Sequence, residues 1–172
     1  MLLETNRLVI AEWLPEDWVD FRPIASDPDV MRYIGRGEPW SDDHTRRFVN
    51  TQIQRSAACG FCLWKLSEKA SRSLIGFCGL QHLSRTEEIE IGWWQAKSSW
   101  GKGLATEAGR AVLDHAFEGV CLHRVVAIAQ PPNRASLRVM QKLGMKYERD
   151  LLREGIQVVL YSMENPGLLS SS

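Results

Sequence analysis

Glu90-Ile-Gly-Trp-Trp-Gln-Ala-Lys-Ser-Ser-Trp-Gly-Lys-Gly-Leu-Ala-Thr-Glu-Ala108 is the stretch that decides the fold. An apolar run that reads as a strand ends near Trp94, a glycine-bearing loop turns, and a helix begins at about Lys102 and continues to about Phe117. The first amide N–H groups of such a helix have no partner within it, and the helix dipole places its positive end there, so the turn is a ready site for phosphate oxygens. Gly101 and Gly103 suit a backbone that wraps an anion, because positive φ is open to glycine and no Cβ intrudes.

Downstream, the pattern continues with a strand from Arg124 to Ala129, a helix from Asn133 to Leu143, and two closing strands, Met145 to Leu152 and Ile156 to Met163. Upstream, Gly60 to Leu66, Leu74 to His82 and Glu87 to Trp94 are strand-like runs separated by polar turns, which reads as an antiparallel meander. Further back, Arg7 to Trp13 alternates like a first strand, and Pro15 with Glu16 and Asp17 opens a helix bearing Trp18, Phe21 and Ile24. Asp27 to Trp40 is broken by Pro28, Gly35, Gly37 and Pro39, after which Ser41 is placed to cap a helix through Thr45, Phe48 and Gln52. The expected fold is α/β, a mixed, mostly antiparallel sheet of six to seven strands with helices on both faces. No repeat or linker divides the chain, so residues 1–165 read as a single domain and 166–172 (PGLLSSS) as a loose tail.

Composition bounds the function. The 172 residues are 44% hydrophobic and 24% charged, as in ordinary globular proteins. Lys plus Arg and Asp plus Glu number 21 each, which argues against a partner held by a large basic field, whether nucleic acid or anionic membrane. No apolar run approaches the roughly 20 residues of a membrane helix, and the N-terminal residues carry charges where a signal peptide has its apolar core, so a cytoplasmic location is expected. Four cysteines are too few for a disulfide scaffold, and reduced thiols are expected. Cys59-x-x-Cys62 has no second pair at metal spacing and reads as small buried residues in a strand, and no metal is expected. Asp42-Asp43-His44 reads as helix-start charge, His82 as a structural histidine, and Trp13, Trp18 and Trp64 as core or half-buried.

Two phosphate motifs fail on the decisive loop. A Walker A loop needs Gly at position 96 and Ser or Thr after the Lys, where the chain has Ala96 and Gly103; this makes a nucleotide-dependent kinase or hydrolase improbable. A dinucleotide fingerprint needs Gly or Ala at position 106, where Thr106 stands. By itself the loop is a helix cap with a glycine turn. It is joined, however, by Asn133-Arg-Ala-Ser136 opening the next helix and Gln141-Lys-Leu-Gly144 closing it.

With Leu3-Glu-Thr-Asn-Arg-Leu8, Leu74-Ile-Gly-Phe-Cys-Gly-Leu80, Glu90-Ile-Gly-Trp93, Trp100-Gly-Lys-Gly-Leu-Ala-Thr-Glu-Ala108 and Asn133 through Gly144 in this order, the chain resembles the GCN5-related N-acetyltransferase (GNAT) superfamily. Within it the chain is similar to the Rim-type branch that acetylates ribosomal-protein N-termini. The resemblance implies a GNAT-like sheet, acetyl-CoA as co-substrate and an amine acceptor, either a protein N-terminus, which the branch favours, or a small amine, amino acid or antibiotic. It implies a monomer or homodimer. It places the acetyl-CoA contacts on Ile91, Trp93, Trp100, Gly101, Lys102, Gly103, Leu104, Ala105, Thr106, Asn133 and Ser136. Trp100 stands where the superfamily's phosphate loop has Gln or Arg, a replacement of little consequence if backbone amides make the contacts. Arg32, Arg36 and Trp40 fall where the family places an acceptor-binding loop.

Chemistry adds the catalytic candidates. A thioester is already activated, so the protein must present a neutral amine, align it and stabilise the oxyanion. An α-amine has a pKa of about 8 and a lysine amine about 10, so a carboxylate base, acting through water, is useful. Glu90 is the first candidate, on the strand that leads into the loop; Glu88 shares its face and is the rival, and a backbone N–H near Trp93 is the expected oxyanion donor. Many family members carry a Tyr to protonate the departing thiolate where this chain has Met140, leaving Ser136, Tyr147 or water for that step. Loss of that Tyr is the one feature favouring a non-catalytic acyl-CoA-binding sensor, and retention of Glu90 weighs against it.

Overall fold

The structure is a computed structural model and describes residues 2–84 and 86–169. In chain order the elements are β1 (Leu2–Glu4), β2 (Leu8–Ala11), α1 (Trp18–Ala25), α2 (Pro28–Met31), α3 (Asp42–Cys59), β3 (Leu63–Glu68), β4 (Leu74–His82), β5 (Ile89–Gln95), α4 (Leu104–Asp114), β6 (Arg124–Ala129), α5 (Arg134–Lys142), β7 (Lys146–Arg153), β8 (Ile156–Glu164) and α6 (Pro166–Leu169). The strands form one eight-stranded sheet in the order β1-β2-β3-β4-β5-β6-β8-β7. Every neighbouring pair is antiparallel except β5 and β6.

The sheet has more strands than the six to seven expected, because the first strand region is a hairpin: β1 pairs with β2 across Asn6 and its neighbours, with Leu3 opposite Ile10. Ser41 caps α3 as expected, accepting from the His44 amide at 3.2 Å, and α3 ends at Gly60 with φ +77. Cys59 is therefore the exposed last residue of a helix, not a strand residue; only Cys62 of that pair is buried. The stretch 166–172, read as a loose tail, contains the helical turn α6, and residues 170–172 lie outside the described residues.

Strand alternation sorts the side chains onto two faces. Phe77 of β4 lies opposite Trp94 of β5, and both meet Phe21 of α1 and Phe48 of α3 at centroid separations of 5.3–6.4 Å, so α1 and α3 cover that face. Trp64 points to the other face and meets the His115 ring just beyond α4. There α4 packs through buried Leu104, Ala108, Val112 and Leu113, with α5 beside it, the Arg110 guanidinium donating to the Lys142 carbonyl oxygen at 3.3 Å. Trp13 and Trp64 are core residues, and Trp18 is half-buried beneath the Arg46 guanidinium.

Candidate active site

The parallel neighbours β5 and β6 pair at one register position, Glu90 with Val126, although β5 continues to Gln95 and β6 to Ala129. Beyond Glu90 the two strands separate, and the backbone of β5 is left with one bonded edge. Ala96 N–H donates to the Ile75 carbonyl at 2.7 Å, so by alternation Trp94, Gly92 and Glu90 also bond across to β4. Trp93, opposite Cys78, falls in a non-hydrogen-bonded pair; its N–H points away from β4, into the opening. Two cavities, of about 540 and 300 Å³, meet there and share Tyr33, Ile34, Trp93, Asn133 and Ser136 in their walls.

The larger cavity runs from Trp93 and Gln95 past Trp100, Gly101 and Gly103 to Leu104, Ala105 and Thr106. Gly101 and Gly103 have φ of +75 and +77, and Gly103 is the N-cap of α4 with no side chain closing the helix start. The helix N-terminus thus keeps its donors for an anion. By contrast α5 is capped by its own Asn133, whose side chain accepts from the Ser136 amide at 3.2 Å. Arg134, Arg138 and Lys142, spaced by four along α5, line the same cavity, and none forms an ion pair among the described residues. Gln95 is buried with its Nε2 lacking any hydrogen-bond partner among the described residues. An uncapped helix start, an unpaired cationic row and a buried donor in want of an acceptor fit a polyphosphate ester with an amide-bearing arm, which is the chemistry of coenzyme A.

Two expected contacts fall elsewhere. Lys102 does not line this cavity; its carbonyl oxygen accepts from the Arg7 guanidinium at 2.9 Å. Ile91 is buried and borders the smaller cavity. Arg7 also grips Glu107, through Nε at 2.7 Å and the backbone N–H at 3.0 Å, while the Thr5 hydroxyl donates to the same carboxylate. Burial raises the Glu107 carboxyl, and these donors more than offset it, holding it below the ordinary carboxylate value. The hairpin start Thr5–Arg7 thereby fixes the loop before α4, a role that sequence reading missed although both ends belong to the motifs it singled out.

The smaller cavity is lined by Glu90, Gln81, Trp94, Ile128, Gln130, Arg153, Ile156 and Val158, among others. Glu90 is 6% exposed. Its Oε2 accepts from Gln81 Nε2 at 3.1 Å and from the Arg153 guanidinium at 3.4 Å; Oε1 has no hydrogen bond among the described residues. Arg55 of α3 donates to Gln81 Oε1 at 3.0 Å, which fixes the amide with its nitrogen toward Glu90. Desolvation pushes the Glu90 carboxyl above its ordinary value, against the opposing pull of Arg153 and Gln81. Gln130, just past β6, donates to the carbonyl oxygens of Tyr33 (3.2 Å) and Gly35 (3.0 Å), holding the loop after α2 over both cavities. Arg32 of that loop lines the larger cavity, Arg36 lines neither, and Trp40 stacks on His44 and meets Trp94 edge-on.

The rivals lie away from the opening. Glu88 accepts from Arg124 at 3.2 Å in a cluster with Glu148 and Glu164. Tyr147 is exposed on β7, its hydroxyl bonded to Asp150, and borders neither cavity. Met140 is buried in the core. Ser136 borders both cavities. His82 is exposed beside Phe61. Burial pushes the Cys62 thiol up to about 12, so it is no nucleophile. Among the described residues no cluster of His, Cys, Asp or Glu is built to hold a metal ion, and no helix is long and apolar enough to cross a membrane.

The chain is similar to known proteins in sequence and in overall structure. The family model described as the acetyltransferase (GNAT) domain matches residues 7–146. An uncharacterised N-acetyltransferase of Bacillus subtilis, YnaD, is 33% identical over 148 residues, covering 86% of this chain and 84% of its own. The spermidine N(1)-acetyltransferase of Escherichia coli is 30% identical over 145 residues, 81% of this chain and 73% of that protein. The crystal structure of a GNAT-family acetyltransferase from Bacillus anthracis superposes with a TM-score of 0.83 at 29% identity, covering 96% of this chain and 99% of that one.

Proposed function

The chain belongs to the GNAT acetyltransferase family, an acetyl-CoA-dependent acyltransferase by that membership, and from this premise we propose that it acetylates a primary α-amine by direct transfer, with Glu90 as the base. The observation that carries the proposal is the placement of Glu90. It is a buried carboxylate with one oxygen unbonded among the described residues, bordering a cavity that opens at Trp93 onto the larger one.

Acetyl-CoA, when bound, supplies the activated thioester. The residues that would hold it are the amides at the start of α4, the side chains of Gln95, Arg134, Arg138 and Lys142, and the Asn133–Ser136 turn. Glu90 Oε1 takes a proton from the acceptor ammonium, directly or through water, so that the nitrogen lone pair is free to attack. The Trp93 N–H, turned into the opening, donates to the carbonyl oxygen as charge grows there. The new N–C bond forms as the C–S bond breaks and the thiolate leaves. Ser136 borders both cavities and is the hydroxyl placed to protonate it; a thiolate also leaves unassisted.

An α-amine is favoured over a polyamine by Arg153. Its guanidinium lines the acceptor cavity and repels a second ammonium there, which separates this site from one suited to spermidine. The Rim-type resemblance favours the amine of a protein N-terminus, and the cavity of about 300 Å³, near the lower end of the roughly 300–1,000 Å³ usual for ligand sites, also suits a small acceptor. Mass spectrometry of a panel of peptide N-termini, amino acids, polyamines and aminoglycosides incubated with acetyl-CoA tests the proposal. A gain of one acetyl group on α-amines, lost in Glu90→Gln, supports it; acetyl-CoA binding with no turnover on any amine would favour the sensor reading.

A further inference from the structure

Glu90 and Arg153 set a negative and a positive group side by side in the acceptor cavity, and neither is saturated. Both partners of Glu90 converge on Oε2, leaving Oε1 free among the described residues. Arg153 donates through one nitrogen at 3.4 Å, long against the roughly 2.7–2.9 Å of a tight charge-assisted bond. Its remaining N–H groups have no partner among the described residues, although its side chain is only 30% exposed.

The position of Arg153 is fixed by the backbone. It closes β7 opposite Ile156, and the two residues between them, Glu154 and Gly155, both have positive φ (+50 and +82). That is the geometry of a two-residue hairpin turn, which fixes where the Arg153 side chain leaves the backbone, and its contact with Glu90 places the guanidinium. Trp94, Ile128, Ile156 and Val158 form an apolar wall beside the pair.

We infer that the acceptor is a free α-amino acid, bound with its ammonium on Glu90 Oε1, its carboxylate on the unpaired N–H groups of Arg153, and its side chain against this apolar wall. The inference rests on the acetyltransferase reading above and names its substrate class. Glu90 Oε2 and Arg153 Nη1 meet at 3.4 Å, so the two side chains stand together with their other polar atoms available, and a zwitterion beside the pair meets both charges with opposite signs. A peptide N-terminus offers Arg153 a neutral carbonyl in place of a carboxylate that accepts two parallel bonds. Glu154 also borders the cavity, but it sits exposed at the hairpin tip, where solvent screens its charge from the substrate carboxylate.

The test compares initial rates of acetylation for a series of apolar amino acids, their carboxamides and the matching tripeptides, at fixed acetyl-CoA. The wild-type protein is expected to favour the free acid over its carboxamide by about tenfold to a hundredfold in kcat/KM, the range for a hydrogen-bonded charged group. In Arg153→Gln the ratio of acid to amide should fall toward one, and in Arg153→Lys it should fall partway, because a lysine offers charge without the two-pronged geometry. Equal rates on acid and amide in the wild type, or preference for the tripeptides, would overturn the inference while leaving the acetyltransferase reading standing. Acetylation of no amine of any class would overturn both. The wild-type comparison decides the matter even if both Arg153 variants fail to fold.

Discussion

Burial works against a charged Glu90, and the fold keeps it buried nonetheless. Desolvation raises its carboxyl above the ordinary value of 4.5, which makes the ionised form a stronger base and brings it nearer to the α-amine of the proposed reaction. The base must be ionised, so kcat/KM should fall as pH drops through this raised value, and the limb should vanish in Glu90→Gln. That variant is expected to lose about 10²–10⁴-fold in kcat, the usual worth of a general base. Stability runs the other way. The folded carboxyl holds its proton longer than the unfolded one, so its contribution to stability declines as pH rises from the unfolded value through the folded one. At neutral pH the neutral glutamine should therefore leave the melting temperature unchanged or raised, and a melting temperature lowered in step with activity would contradict this account. Sequence ranked Glu90 ahead of Glu88 by its place on the strand but had no contact to tell them apart. Glu88 and Glu90 share a face by alternation, and only the pairing of Glu90 with Val126, with Arg124 capturing Glu88, separates them. Arg153 was invisible for the same reason, since its nearness to Glu90 comes from a hairpin far along the chain.

At the scale of elements, α4 and α5 differ in how their N-termini are closed, and the difference was half legible. The start of α4 is written in contiguous residues, Gly101 to Thr106, because anion binding by a helix end is a local affair of backbone φ and free amides. Gly103→Ala forces a side chain into φ +77, a cost of about 1 kcal/mol, and should raise the acetyl-CoA KM far more than it alters kcat. The basic row of α5 went unread, because sequence alone does not say which way Arg134, Arg138 and Lys142 face; the packing of α5 beside α4 turns them to the cavity. Steady-state kinetics of Arg138→Glu should show a several-fold rise in acetyl-CoA KM at low salt, consistent with up to about 1 kcal/mol for an exposed charge, shrinking toward wild type as salt is added. A KM that ignores both the charge and the salt would place the coenzyme's phosphates away from α5.

For the molecule as a whole, the opening between β5 and β6 divides the sheet into two parts joined at that parallel pair and by the contact of α4 with α5. The order of strands and helices was readable, since each run carries its own period, but the splay was not, because it lies in what β5 fails to pair with. A ligand seated there touches both parts, with Trp93 and Gln95 on one side and Asn133 to Lys142 on the other. It binds the folded chain and finds no such site in the unfolded one, so it must stabilise by mass action. At one hundred times its dissociation constant, coenzyme A contributes about 2.7 kcal/mol, or about 5–11 °C in melting temperature for a domain of this size. Thermal melts with coenzyme A should show that shift in the wild type, and it should shrink in Gly103→Ala and Arg138→Glu at the same ligand concentration, because both variants weaken the site. A full shift in both variants would mean that the stabilising ligand sits outside the opening. That would sever the link drawn here between the uncapped start of α4, the basic row of α5 and the separation of the two central strands.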